Sequence, residues 1–223
     1  MKLKISSSIF MLFLLSIKLY ADNKYSFPNF TQVNHSLVST EFKFVKDGDI
    51  IFHISTSSQS RAIQLATHVI YSHCGIIYII KGKPFVYEAV GPVKLTALDQ
   101  WIARGKNAHY LIKRLKNASV ILTPSAIKKM ILVGNEYLGK PYDQVFNWSD
   151  EQIYCSELVW KIYKKAIGIE VGKLQKLKDF DLSDHSVKQK LEERYHNNLP
   201  LDELVISPSS ILQSDLLITV KEN

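Results

Sequence analysis

The chain has 223 residues, 28 Lys+Arg against 21 Asp+Glu, and 46% hydrophobic residues. That balance excludes disordered, collagen-like and repeat proteins, and the length suits one large domain or two small ones. Two cysteines exclude a disulfide framework and a four-cysteine zinc site.

Residues 1–21 read as a secretory signal peptide. Lys2 and Lys4 form a basic start, Ile9–Leu15 an apolar core, and Ala21 a small residue ahead of the polar Asp22-Asn23-Lys24. The rival reading is an uncleaved anchor, but Ser16 and Lys18 interrupt the apolar run and leave it short for a span. No cysteine follows the run, so a lipoprotein anchor is not expected. Export with cleavage near Ala21 predicts a periplasmic or secreted protein whose residues 22–223 form a single domain. Cleavage removes three lysines and leaves 25 basic against 21 acidic residues, a net +4. The run Lys173–Lys178 lacks interleaved aromatics and reads as a solvated face, so no nucleic-acid partner is expected. A mild basic excess suits anionic envelope polymers or lipid headgroups.

In the mature chain, residues 22–46 form a lead-in. Asp47-Gly48-Asp49 signals a turn and Ile50–Ile54 a strand. Ser57-Ser58 caps a helix over residues 61–66. Gly75–Ile80 is a buried strand, Lys81–Pro84 a turn and Phe85–Ala89 the second strand of a hairpin. His109–Ile112 is another strand. Pro124 opens a helix carried by Ile127, Met130, Ile131, Gly134 and Leu138, which stops at Gly139-Lys140-Pro141. Glu157–Tyr163 is a helix with an apolar stripe, ended by Gly168. Residues 173–198 are polar, with a helix over 185–195, and Leu216–Val220 is the last strand. The pattern predicts an α+β fold: helices packed on a mostly antiparallel sheet.

Cys155 stands at the head of the second long helix. There the dipole and free N–H groups favour a thiolate and can hold an oxyanion. A thiolate needs a base, and His73 leads a buried strand, a rigid position from which a ring points accurately. His68 is the reserve. Glu88 is the only acid in the apolar hairpin, where an unpaired carboxylate is costly. With Gly82-Lys83 as the turn, Glu88 faces Ile77 and lies roughly 13 Å along the strand from His73. A bulge or another turn must close that gap for Glu88 to orient His73. The alternative is an ion pair of Glu88 with Lys81, Lys83 or Arg104.

Several motifs in order carry a resemblance: Ile63–Thr67 with Tyr71-Ser-His-Cys-Gly-Ile76, then Tyr87-Glu-Ala89, Gly139-Lys-Pro-Tyr-Asp143, and Tyr154-Cys-Ser-Glu-Leu-Val159. From about Gly48 to about Gly168 the chain resembles the YiiX/YebB-like group, circularly permuted members of the NlpC-type, papain-like cysteine hydrolases. The tail Ile206–Ser210 with its closing strand resembles that group too. His73 precedes Cys155, which is the permuted order, and such sites are recognised by geometry rather than chain order. The resemblance implies a permuted papain-like fold with Cys155 as nucleophile, His73 as base and Glu88 in the polar place. It also implies an oxyanion or substrate-binding role for Tyr142, with Tyr154 the weaker candidate, and no metal or organic cofactor. Glu157, two residues past Cys155, faces elsewhere on the helix and reads as structural.

Cys74 reads as a small buried hydrophobe. Two alternatives stay open: a Cys74–Cys155 disulfide, which would make the protein a stapled binding module, and a His68/His73/Cys74/Cys155 metal site. The expected function is therefore an exported cysteine hydrolase acting through an acyl-enzyme. Its expected substrates are first a peptide or peptidoglycan amide and second a lipid acyl group. Trp101, Phe146 and Trp148 suit either pocket, and residues 173–206 suit a lid or pocket wall. The alternative class is a non-catalytic envelope binding protein.

Overall fold

Six strands make one sheet in the order β4-β3-β2-β1-β5-β8, every neighbour antiparallel. They are β1 (Ile50–His53), β2 (His73–Ile80), β3 (Lys83–Ala89), β4 (Val93–Ala97), β5 (Tyr110–Leu115) and β8 (Leu217–Glu222). β6 (Gln175–Lys176) and β7 (Leu204–Val205) pair separately. The computed structural model describes residues 42–196 and 198–223, all within one compact unit spanning 33–223. The signal peptide expected at residues 1–21 and most of the lead-in lie outside the described residues. Among those described, no helix is long and apolar enough to cross a membrane.

Seven α-helices accompany the strands among the described residues: α1 (Ser58–Thr67), α2 (Leu98–Arg104), α3 (Ala118–Ile121), α4 (Pro124–Asn135), α5 (Cys155–Ile167), α6 (His185–Tyr195) and α7 (Pro208–Leu212). Every residue of β2 is buried, because helices cover both faces of its apolar run. On one face Ile51, Ile77, Val86 and Ile112 pack with Leu98, Trp101 and Ile102 of α2. α4 and α5 pack together, and α5 lies on β2. Tyr87 donates to the Gly134 carbonyl at 2.5 Å and Tyr163 to that of Gly48, tying both helices to the sheet.

The hairpin differs from its expectation. The turn is Lys81-Gly82, both at positive φ, as a two-residue hairpin turn requires. The register is Ile76↔Tyr87. Glu88 thus lies one step further, beside Gly75, and shares its face with His73 only two residues away. A Cβ on Gly75 would stand 2.8 Å from the Tyr87 carbonyl oxygen, so that close approach of strands needs glycine. β4, α2, α7 and the β6–β7 pair were not expected from periodicity. α2 hides because it is short, with only Leu98, Trp101 and Ile102 as its apolar stripe.

Beneath the sheet, Arg114 grips buried Asp49 in a fork, Nε to Oδ1 at 2.6 Å and Nη2 to Oδ2 at 2.7 Å. Losing the guanidinium strands a fully buried carboxylate. Arg114→Leu is therefore expected to lower stability by about 3–5 kcal/mol, read as a shift in the urea midpoint. An unchanged midpoint would show that the pair contributes nothing net.

Candidate active site

Cys155 is the first residue of α5. Its flanks lock that turn in place: Ser156 donates to the Ile206 carbonyl at 2.7 Å, and the Tyr154 hydroxyl accepts the Ile206 N–H at 3.0 Å. Amide groups of the first turn have no carbonyl to bond within the helix, so they and the dipole favour negative charge there.

Three side chains meet at Cys155. His73, Cys74 and Tyr142 all lie close enough to its sulfur to exchange charge effects with it. The Cys74 S–H comes first among the causes that hold the Cys155 thiol well below its ordinary value, and His73 adds to it against the effect of burial. The Cys74 thiol itself is pushed well up, by burial first and then by Cys155. Both cysteines are free thiols, so the disulfide alternative is not the state described. Cys74 is more than an inert filler: on the α5 side of β2, it stands among the groups that act on the Cys155 sulfur.

His73 donates Nε2–H to Glu88 Oε2 at 2.7 Å, which leaves Nδ1 for the sulfur. Burial alone would lower the His73 pKa. The Cys155 charge, then Glu88, overcome it and raise it to about 9. Glu88 is fully buried and richly bonded. Trp101 Nε1 donates to Oε2 at 2.9 Å, Thr96 to Oε1 at 2.6 Å, and Arg104 to Oε2. Burial opposes the charge, but His73 and these donors hold the carboxyl down at about 2. The ion pair with Arg104 and the hydrogen bond to His73 thus coexist; they were weighed as alternatives from sequence.

His53 completes the group and carries no sequence signal of its own. Its ring stacks on Trp101 at 4.0 Å and lies 5.1 Å from that of His73. Burial, followed by the charge on His73, lowers its pKa to about 3, so it is a neutral plate behind the charged ring. A Cβ on Gly105 would come within 2.9 Å of it. His68, the reserve base, sits on the surface 3.1 Å from Asp181 and takes no part.

Tyr142 is kept protonated by burial and by the Cys155 charge, so its hydroxyl is a donor; Gln59 Nε2 reaches it at 3.3 Å. Tyr154 is occupied by Ile206. Glu157 is buried and paired with Lys161 at 2.7 Å, away from the thiol.

From Cys155 a narrow, open cleft of about 90 Å³ runs between α1 and α6. Ala62, Ile63 and Ala66 of α1 line it together with Val187 and Leu191 of α6 and with Phe180, Leu182 and Val205. Phe146 joins this wall; Trp101 instead stands behind His73, and Trp148 packs on Trp160. Of the lid or pocket wall expected from residues 173–206, the structure shows a wall: Leu177, Phe180, Val187 and Leu191 line the cleft. Among the described residues, no group of three or more His, Cys, Asp or Glu side chains is placed to hold a metal ion.

The profile of a family described as "Permuted papain-like amidase enzyme, YaeF/YiiX, C92 family" matches residues 44–221. The uncharacterized protein YiiX of Escherichia coli (strain K12) is 53% identical over 173 residues, covering 78% of this chain and 84% of that protein. A crystal structure of YiiX from Escherichia coli O157:H7, described as a metalloprotein, superposes with a TM-score of 0.77 at 50% identity. It covers 80% of this chain and 97% of that one.

Proposed function

Since the chain belongs to the permuted papain-like amidases of the YaeF/YiiX family, and is therefore a cysteine hydrolase, we propose that it opens an amide bond whose acyl half is apolar. In this reading Cys155 is the nucleophile, His73 the acid–base and Glu88 its orienter. The observation that carries the substrate side is the cleft. Its walls from Ala62 to Leu191 are aliphatic and aromatic and begin at the thiol, which suits a hydrocarbon chain better than a hydrophilic peptide. Of the two substrate classes expected from sequence, the lipid-like one is favoured by this lining.

The chemistry follows from the groups present. Cys155 and His73 rest as thiolate and imidazolium. The sulfur attacks the carbonyl carbon and forms a C–S bond. The oxygen gains the displaced electron pair and is held by first-turn N–H groups of α5 and the Tyr142 hydroxyl. His73 passes its proton to the departing nitrogen as the C–N bond breaks, leaving a thioester. Now neutral, His73 takes a proton from water. The hydroxide displaces the sulfur, releasing a carboxylic acid and restoring the pair. Glu88 keeps Nδ1 aimed at the sulfur by holding Nε2, and it stabilises the imidazolium. The metal described for the E. coli O157:H7 relative has no donor set of three among the described residues, and no step here runs through one.

We place this activity outside the cytoplasm, on the basis of the apolar, Ala21-terminated leader. A panel of N-acyl amides of increasing chain length against muropeptide amides tests the reading. The kcat/KM is expected to rise about fifteenfold for each pair of added CH₂ groups until the cleft is filled, on the scale of 0.8 kcal/mol per CH₂. Turnover of muropeptides with none of the acyl amides would replace it by the cell-wall reading.

A further inference from the structure

α6 turns four residues to the cleft: Val187, Lys190, Leu191 and Arg194. The spacing is that of one helix face, and Arg194 lies about 10 Å along the axis from Val187. Arg194 sits at the nucleophile end, its guanidinium 4.8 Å above the Phe146 ring. Phe146 in turn packs edge-on against Tyr154, the residue before Cys155, at 5.1 Å. Tyr142, which lies close to the Cys155 sulfur, is within electrostatic reach of Arg194.

Of the two cations lining the cleft, Lys190 is committed to Glu193. Arg194 forms no ion pair with any carboxylate among the described residues. Asp143 and Glu193 attract it from a distance; Asp143 accepts the Val145 N–H on Oδ1 at 2.8 Å, and its buried Oδ2 has no hydrogen-bond partner among the described residues. A half-buried guanidinium held flat by an aromatic face keeps its planar fork of donors free and already oriented. Such a fork matches a carboxylate or a phosphate with two parallel hydrogen bonds.

The geometry points to Arg194 as an anion-recognition residue: the substrate is an amphiphile with an apolar chain in the cleft and a carboxylate or phosphate beside the scissile amide, the simplest such compound being an N-acyl amino acid. This rests on the acyl-amide reading for the identity of the bond, but the anion is tested without hydrolysis.

Calorimetric titration of the Cys155→Ala protein with N-dodecanoylglycine, N-dodecanoylglycinamide and dodecyl phosphate separates the possibilities. N-dodecanoylglycine is expected to bind about tenfold to a hundredfold tighter than its uncharged amide. Arg194→Gln in the same background should remove that preference and leave affinity for the amide unchanged, while Arg194→Lys should restore part of it. The tighter of the two anions names the source, an acyl amino acid or a phospholipid headgroup. Equal binding of acid and amide, binding of none of the three, or an equal loss of affinity for both on Arg194→Gln would overturn the assignment. The last outcome would make Arg194 a structural partner of Phe146 and Asp143. If the preference is found but the wild-type protein hydrolyses neither acyl compound, the anion site stands and the acyl-amide reading fails.

Discussion

Cys155→Ala is expected to reduce turnover by about four orders of magnitude or more, to what substrate binding and the oxyanion donors alone supply. The reason is that in the proposed mechanism every covalent step passes through one sulfur, whose thiol Cys74 and His73 hold well below its ordinary value. The same variant keeps the cleft intact, so affinity for a chain-matched substrate should change little. Alkylation gives an independent readout. Iodoacetamide should modify Cys155 at about pH 6, far below where an ordinary thiol reacts. Cys74, buried and with its thiol held protonated, should stay silent. Activity of Cys155→Ala within tenfold of the parent, or labelling of Cys74 first, would remove the nucleophile assignment.

Glu88→Gln should be the second most damaging change at the site, because one carboxylate serves four donors. Its loss leaves His73 without a charged orienter and Arg104 without its partner. By analogy with other triads, kcat is expected to fall about a hundredfold to ten-thousandfold, with little change in KM because Glu88 does not line the cleft. Stability should drop by about 3–5 kcal/mol, the usual result of breaking a buried pair from one side. A pH profile separates positioning from simple damage. The active form needs a protonated His73, so wild-type activity should fall as pH rises through about 9. Glu88 is one of the groups holding that value up, so in Glu88→Gln the alkaline limb should move toward lower pH. An unshifted limb with reduced kcat would mean that Glu88 acts only on the fold.

Stability should follow the same groups with opposite signs. His73 titrates higher in the folded protein than in the unfolded chain, so its contribution is complete below about pH 6.5 and fades as pH rises toward 9. Glu88 titrates lower when folded, so its contribution is present above its ordinary 4.5 and is lost as pH falls toward 2. The pair is therefore most stabilising between those limits.

Local patterns in the sequence were enough for the elements that bear the reactive groups. Alternation and β-branching predicted β1, β2 and β3; Pro124 and Gly168 marked a helix start and a helix end; and the helix over 185–195 was placed to the residue. Cys155 and His73 were legible because a helix head and a strand head are local features with local chemistry. The fold class followed from the order of those elements and from a motif series that survives permutation. Pairing was not legible. A one-residue change in which two residues form a hairpin turn moves every cross-strand partner by two, and that difference decided whether Glu88 met His73 or stood far from it. The carboxylate's other partners come from α2, a seven-residue helix whose single apolar stripe is too brief to read as periodicity. His53 and Arg194 show the same limit. One is an ordinary histidine until Trp101 stacks on it, the other an ordinary arginine until Phe146 lies beneath it. Sequence by itself determined which atoms can react, since that is set by side-chain type and secondary structure. Only the tertiary structure decided what holds them, because hydrogen-bond partners and burial depend on residues brought together from distant parts of the chain.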